Sequence, residues 1–388
     1  MMKLTYITSA IISHEKTHPY QILKTCEGFV KNNVKVDLIL ISHSSVEKKI
    51  KEIRNVWYYY GIKKRFNILK ISHFFWINRY YTRKLGFFRF CLQVVLFITF
   101  FSFYSLINKP DIYYFRDKDM YWVSYLSFLR FIHRGKIYLE VHKPRREIVS
   151  LLKKRAINGL IVITDQIRDY YLKHEVPQKK IFVSGSGVDL KMFENLPSKQ
   201  EIRNELEIPL DKKIICYTGN LYDWKGAYVL ALAMKDFVNN SVRCYFVGGM
   251  RKDVEKLNKF IKKNNIQNII VVGYVAPILV PKYQIASDVL VLPNIRIGLS
   301  EYTSPLKLYE YMASKRSIVA SDIPVFREVL DEETSILVEP NNPEALYKGI
   351  KTVLYNKKIA QRLTKNAYRN IIKYDWEERA KNIIKFIS

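Results

Sequence analysis

Short apolar runs recur along the chain, separated by stretches in which apolar residues return every three or four positions. In the first half, residues 3–8, 34–41, 111–115, 136–141, 159–164 and 180–184 are predicted as strands. Between the first two, Ile22, Leu23, Cys26, Phe29 and Val30 are spaced as one face of a helix over 20–31. In the second half, 213–218, 242–247, 268–272, 289–292, 317–320 and 335–338 repeat the pattern, and 343–387 is helical. Strands that alternate with helices build parallel sheets. A polar stretch at 197–211 separates the two series, so the chain is predicted to be α/β with two such units.

One segment departs from this pattern. From Phe90 the chain runs uncharged to Ile107, about the shortest length that crosses a bilayer. The run 109–116 that follows reads as a core strand, and a spanning helix would strand it across the membrane from its own sheet. Residues 87–107 are therefore read as a buried crossover helix or as a helix lying in the membrane interface. Arg79, Tyr80, Tyr81, Arg83, Lys84 and Arg89 just before it suit an interfacial anchor.

The formal net charge of +28 admits nucleic acid or an anionic membrane surface as partner, beside a compositional excess of lysine. No aromatic RNA-binding motif or Cys/His finger is present, so an anionic membrane is expected and nucleic acid is not. Cys26, Cys91, Cys216 and Cys244 form no paired spacing, which suggests a reducing compartment. The first residues lead straight from a short apolar run into polar ones and do not read as a signal peptide. A cytoplasmic protein, peripheral on the inner face of the cell membrane, is expected.

The chemistry concentrates in Glu301-Tyr-Thr-Ser-Pro-Leu-Lys-Leu-Tyr-Glu-Tyr-Met312. Ser304 suits an N-cap and Pro305 a first helical position. The free N–H groups around Leu306 to Leu308 and the helix dipole would favour a phosphate. Glu310 faces away from Leu308 and Met312, and its carboxylate could accept two hydrogen bonds from a sugar diol. A plain surface helix with a Lys307–Glu310 ion pair is the alternative. Upstream, Gly219 permits a turn, and Lys225 could reach a diphosphate. His142 ends a predicted strand, where such sheets bind ligands. His14, Lys16 and His18 lie in the loop after the first strand, and Arg116 follows another. Asp117 and Asp119 are read as cleft-lining or helix-capping residues, and no metal site is expected.

The stretch Ser304-Pro-Leu-Lys-Leu-Tyr-Glu-Tyr-Met-Ala313 with Ile318-Val-Ala-Ser-Asp-Ile-Pro324 resembles the donor-site signature of bacterial glycosyltransferases of family 4. The resemblance implies the GT-B fold: two Rossmann-like domains facing across a cleft, here 1–186 with 374–388 crossing back, and 187–373. It implies a retaining, metal-independent hexose transfer from a nucleotide diphosphate sugar to a glycan or lipid-linked acceptor, with no cofactor beyond that donor. Glu310 would hold the donor ribose. Gly219, Lys225, Ser304, Pro305, Leu306 and Lys307 would surround the diphosphate, and Tyr274 and Val275 the base. Glu140-Val-His142 would bring His142 to the transferred sugar, and His14, Lys16, His18 and Arg116 would lie on the acceptor side. The first glutamate of the signature falls at Tyr302, beside Glu301, and the arginine of the diphosphate clamp is replaced by Asn220. A nucleotide-sugar 2-epimerase and a non-catalytic membrane or nucleic-acid binder on the same fold are the alternatives.

Overall fold

The computed structural model describes residues 1–388 except 11, 13–16, 43–54, 73–82, 129–133, 238–240 and 298–301. At 17, 42, 72, 83–94, 118, 120, 121, 125 and 128 only the backbone is described. The chain divides into two compact units, Met1–Ser184 with Trp376–Ser388, and Gly185–Asp375.

In the first unit, β1 (Lys3–Thr8), β2 (Lys35–Ser42), β3 (Asn67–Ser72), β4 (Ile112–Arg116), β5 (Lys136–Val141), β6 (Gly159–Val162) and β7 (Ile181–Val183) form one parallel sheet. Its order is β3-β2-β1-β4-β5-β6-β7. β1 lies between β2 and β4, with Leu4 opposite both Val36 and Ile112. The winding therefore reverses between β1 and β4, and the C-terminal strand ends on either side of that reversal leave a natural ligand crevice. The edge strand β3 was not among the predicted runs. Its residues are mostly solvent-accessible, so it lacks the apolar density that marks the inner strands. The chain's last helix, Trp376–Ile387, packs on the helix Thr17–Lys31.

The segment read as a buried or interfacial helix is the helix Arg83–Asn108. Phe97, Phe101, Tyr104 and Ser105 are buried on one side. Val95, Leu96, Phe103, Leu106 and Ile107 fall on the opposite side and are exposed, Phe103 at 64% and Ile107 at 75%. The helix thus covers the sheet with one face and shows an apolar face outward. Among the described residues, no helix is long and apolar enough to cross a membrane.

The second unit repeats the plan. β8 (Lys213–Thr218), β9 (Val242–Val247), β10 (Ile269–Gly273), β11 (Val289–Leu292), β12 (Ser317–Ser321) and β13 (Ile336–Val338) form a parallel sheet ordered β10-β9-β8-β11-β12-β13. Alternation along β8 shows why both faces are covered: Ile214 and Cys216 enter one apolar layer, Ile215 and Tyr217 the other. Here the winding reverses between β8 and β11.

Candidate functional site

The second unit gathers its unusual groups at that reversal. After β8 the backbone turns at Gly219, with φ +119°. A short 3-10 turn, Asp223–Lys225, follows and ends on Gly226. Gly226 has φ +74°, and a Cβ there would lie 1.7 Å from the carbonyl oxygen of Pro293, so no other residue fits. This contact fixes Lys225 beside the segment that leaves β11. The Lys225 ammonium lies 3.8 Å from the centre of the Trp224 ring, and burial pushes its pKa down to about 7.

The helix carrying the signature is Leu306–Ala313. Its N-cap is Pro305, one residue later than predicted, and Ser304 does not cap it. The Ser304 hydroxyl instead accepts a hydrogen bond from the Ser186 N–H at 2.9 Å and lies 3.0 Å from the Tyr309 hydroxyl. That competition for the side chain leaves the first-turn N–H groups without a serine cap.

Lys307 and Glu310 form no ion pair among the described contacts. The Lys307 ammonium sits 3.7 Å from the centre of the Tyr217 ring and has no hydrogen-bond partner, although the residue is only 9% exposed. Burial and then the nearby Lys225 hold its pKa well below the ordinary lysine value, with Glu310 opposing. Glu310 accepts a hydrogen bond on Oε2 from Gln284 at 3.0 Å, and burial raises its pKa against Gln284 and Lys307. Gln284 also reaches the Thr218 hydroxyl at 3.3 Å, and the Thr218 N–H donates to Tyr311 at 2.8 Å. Glu310 is thereby oriented through one oxygen, and the other carries no hydrogen bond within the described structure.

The sequence reading missed Asn294, just after β11. It is fully buried, and neither its amide oxygen nor its nitrogen has a partner. Buried amides are nearly always satisfied, so two open atoms at a sheet's ligand edge make Asn294 a candidate contact for a ligand or an ordered water. Nothing in a lone Asn after an apolar strand signals this in advance. Gly248, at φ +115°, was also missed; a Cβ there would lie 2.5 Å from the Gly219 carbonyl oxygen. The Gly248-Gly249 pair directly after a strand was a readable signal for such a close approach. Of the base-side candidates, Tyr274 is 47% exposed after β10 and Val275 packs onto the core.

The first unit holds a second cluster. His142 follows β5, and its Nε2 lies 2.7 Å from Glu140 Oε1. A carboxylate only accepts, so Nε2 carries the proton. The Arg116 guanidinium lies 3.0 Å from Nδ1 and 2.8 Å from Nε2. Burial and Arg116 lower the His142 pKa, and Glu140 opposes them. Glu140 itself is 3% exposed. It takes a hydrogen bond from Tyr114 at 2.7 Å and an ion pair from Arg379 at 3.0 Å. Burial alone would raise its pKa, but Arg379, His142 and Arg116 hold it well below the carboxylate range. Arg379, on the last helix, was not anticipated; an arginine in an amphipathic helix carries no distinguishing mark.

Arg116 is 4% exposed; its Nη2 meets His142 and, at 3.3 Å, Gln21, while its Nη1 has no partner. Two expectations need correction here. Asp117 and Asp119 do not act as simple caps. Asp117 accepts the His142 N–H at 3.2 Å, and Asp119 binds the Thr8 hydroxyl and the Ser9 N–H, both at 2.9 Å. His18 belongs to the helix Thr17–Lys31, not to the preceding loop, because that helix starts three residues earlier than the apolar spacing suggested. His14, Lys16 and Glu301 lie outside the described residues. Among the described residues no group of three metal-ligating side chains occurs.

Two Rossmann-like parallel sheets of this order define an α/β protein of the GT-B fold. Residues 198–370, somewhat under half of the chain, match the family model described as Glycosyl transferases group 1. The chain is 28% identical over 165 residues to the "Putative teichuronic acid biosynthesis glycosyltransferase TuaC" of Bacillus subtilis, a match covering 42% of this chain. It spans only 39% of that relative's length. A crystal structure of a glycosyltransferase from Rickettsia africae superposes with TM-score 0.75 at 16% identity, covering 100% of this chain and 97% of the other. HepE from Anabaena, solved in complex with UDP and glucose, superposes with TM-score 0.74 at 13% identity, covering 99% of both chains.

Proposed function

We propose that the protein is a retaining glycosyltransferase that moves a hexose from a nucleotide diphosphate sugar to a hydroxyl of a glycan or lipid-linked acceptor, in the synthesis of a surface polysaccharide or glycoconjugate. One observation carries the reading. Glu310, oriented through Gln284 with one oxygen open, stands about one turn into a helix whose start carries buried, unpaired Lys307. In this reading the open carboxylate oxygen takes a ribose hydroxyl. The helix start, Lys225 and Lys307 meet the diphosphate. The bound HepE ligands, a nucleoside diphosphate and a hexose, are of the classes this site suits.

The residues then have separable tasks. Charge that builds on the departing diphosphate is stabilised by preorganised cations and N–H dipoles. No metal is needed for that step. A leaving phosphate oxygen takes the proton of the acceptor hydroxyl. Hydrolysis of UDP-, GDP- and ADP-sugars tests the reading. One donor should be turned over slowly, and Glu310→Ala should reduce kcat/KM by about 100-fold, the loss of charged hydrogen bonds to the diol. Epimerised sugar would assign a 2-epimerase instead, and absence of both binding and turnover would remove the enzyme reading.

The acceptor reading rests on the first unit, which carries +21 of the +28 formal charges and the outward apolar face of the helix Arg83–Asn108. Apolar side chains beside a basic surface suit peripheral docking on an anionic membrane, at the inner face of the cell membrane. Salt-sensitive co-sedimentation with vesicles containing phosphatidylglycerol is expected. Recovery of the protein in the supernatant at low salt counts against it.

A further inference from the structure

The second unit contains a contradiction that a bound ligand would resolve. Lys307 projects from the helix Leu306–Ala313 over the face of Tyr217, a position that suits a cation. Yet its nitrogen is buried and makes no hydrogen bond, and an ammonium has three N–H groups to satisfy. The groups facing it do not settle the matter. Tyr217 and Cys216 come from β8, Lys225 from the turn after β8, and Glu310 from its own helix. Lys225 repels a charge there. Glu310 attracts one, but no ion pair forms between them among the described contacts and Glu310 is itself disfavoured as an anion.

The surroundings say what is missing. The Lys307 side chain passes 3.8 Å from where a Cβ on Gly219 would stand, so its nitrogen belongs to the same turn that carries Asn220. The Tyr217 hydroxyl, at the other end of the ring that supports Lys307, donates to the Asn220 carbonyl at 2.5 Å. Fully buried Asn294, with both amide atoms unpartnered, follows β11 on the other side of the sheet reversal. Two lysines that repel each other, an open amide and a helix start without a side-chain cap are satisfied together by a compact, multiply charged oxyanion.

We propose that this turn binds a diphosphate together with a proton, which Lys307 takes up from solvent as the anion enters. The inference rests on the donor-site reading and deepens it: Lys307 fills, from another element, the role of the second cation that Asn220 cannot play. The free amine accepts one proton and becomes an ammonium, and the diphosphate supplies the acceptors the empty pocket lacks. Lys225, with its pKa already near 7, adds part of a second proton at alkaline pH. Binding and protonation are then linked, so affinity must fall as pH rises above neutrality, by up to about tenfold per pH unit for each proton taken up.

Calorimetry of UDP, GDP and ADP binding to the full chain at about pH 8, in Tris and in tricine buffers of different ionisation heat, reads the proton count directly. Uptake of between about one and two protons is expected, the part above one coming from Lys225. Lys307→Arg, charged at every working pH, should bind the same nucleotide with about one proton fewer and a flatter pH profile. Binding by the unaltered protein with no buffer-dependent heat overturns the proton-linked site and leaves the donor reading standing. No binding of any of the three nucleotides overturns the donor reading and this inference with it.

Discussion

The two units place charged side chains at the ligand ends of similar sheets but differ in how far those charges are paired. In the first, Glu140, His142 and Arg379 are matched to one another and to Arg116 through its Nη2, Arg116 Nη1 alone lacking a partner, and the Glu140 carboxylate takes three partners within 3.0 Å. In the second, Lys307 and Asn294 are as deeply buried and have none. A buried charge is tolerated when protein groups pair with it. A buried polar group left unpaired weakens the fold and persists only where something from solution completes it. The first cluster is therefore paired by the fold itself at every point but Arg116 Nη1, and it holds His142. The second is unfinished, and its incompleteness is the mark of a binding site.

The comparison breaks most plainly under substitution of one partner on each side. Arg379→Met leaves Glu140 buried without its strongest counter-charge and should lower the unfolding free energy by about 3 kcal/mol, within the range for half of a buried pair. Urea denaturation measures it, and the paired change Arg379→Met with Glu140→Gln should recover part of the loss. A loss under about 0.5 kcal/mol would mean the ion pair does not tie the last helix to the site.

The mirror experiment should have the opposite sign. Lys307→Met keeps the length of the side chain and removes an unsatisfied nitrogen, so it should stabilise the ligand-free protein by about 1 kcal/mol. The sign with pH follows from the lowered lysine pKa. Between the folded value and the unfolded value near 10.5, the unfolded chain binds more protons, so the unaltered protein gains stability as pH rises. The advantage of the variant should therefore be larger at about pH 6 than at about pH 9. Destabilisation at both would show that Lys307 is paired in solution and that the two clusters do not differ in kind.

Much of the frame was legible because it depends on local pattern. The runs at 3–8, 136–141, 213–218, 242–247 and 289–292 match β1, β5, β8, β9 and β11 end for end, since inner strands of a parallel sheet must be apolar on both faces. The positions of Glu310, Lys225 and His142 could be placed on their elements for the same reason. What escaped was set by partners distant in sequence. Ser304 has the composition of a cap, but Ser186, 118 residues earlier, claims its hydroxyl. Arg379 reaches Glu140 across 239 residues, and Asn294 is conspicuous only because its neighbours do not bond to it.

The smallest expected effect gives the sharpest test of what completes the second cluster. If Lys307 already provides the cation that Asn220 does not, Asn220→Arg in the otherwise unaltered protein adds a guanidinium to a diphosphate already held, and nucleotide affinity should change by no more than about threefold. In the Lys307→Met background the same change should recover about tenfold in affinity, since a charge-assisted hydrogen bond is worth about 1.5 kcal/mol or more. The two substitutions lie on one turn and share one ligand, so their effects should not add, and the size of the non-additivity measures how fully one cation replaces the other. Equal gains in both backgrounds would show that the two positions act independently. Lys307 would then be a buried lysine near the diphosphate, and the contrast between the finished and the unfinished cluster would rest on Asn294 alone.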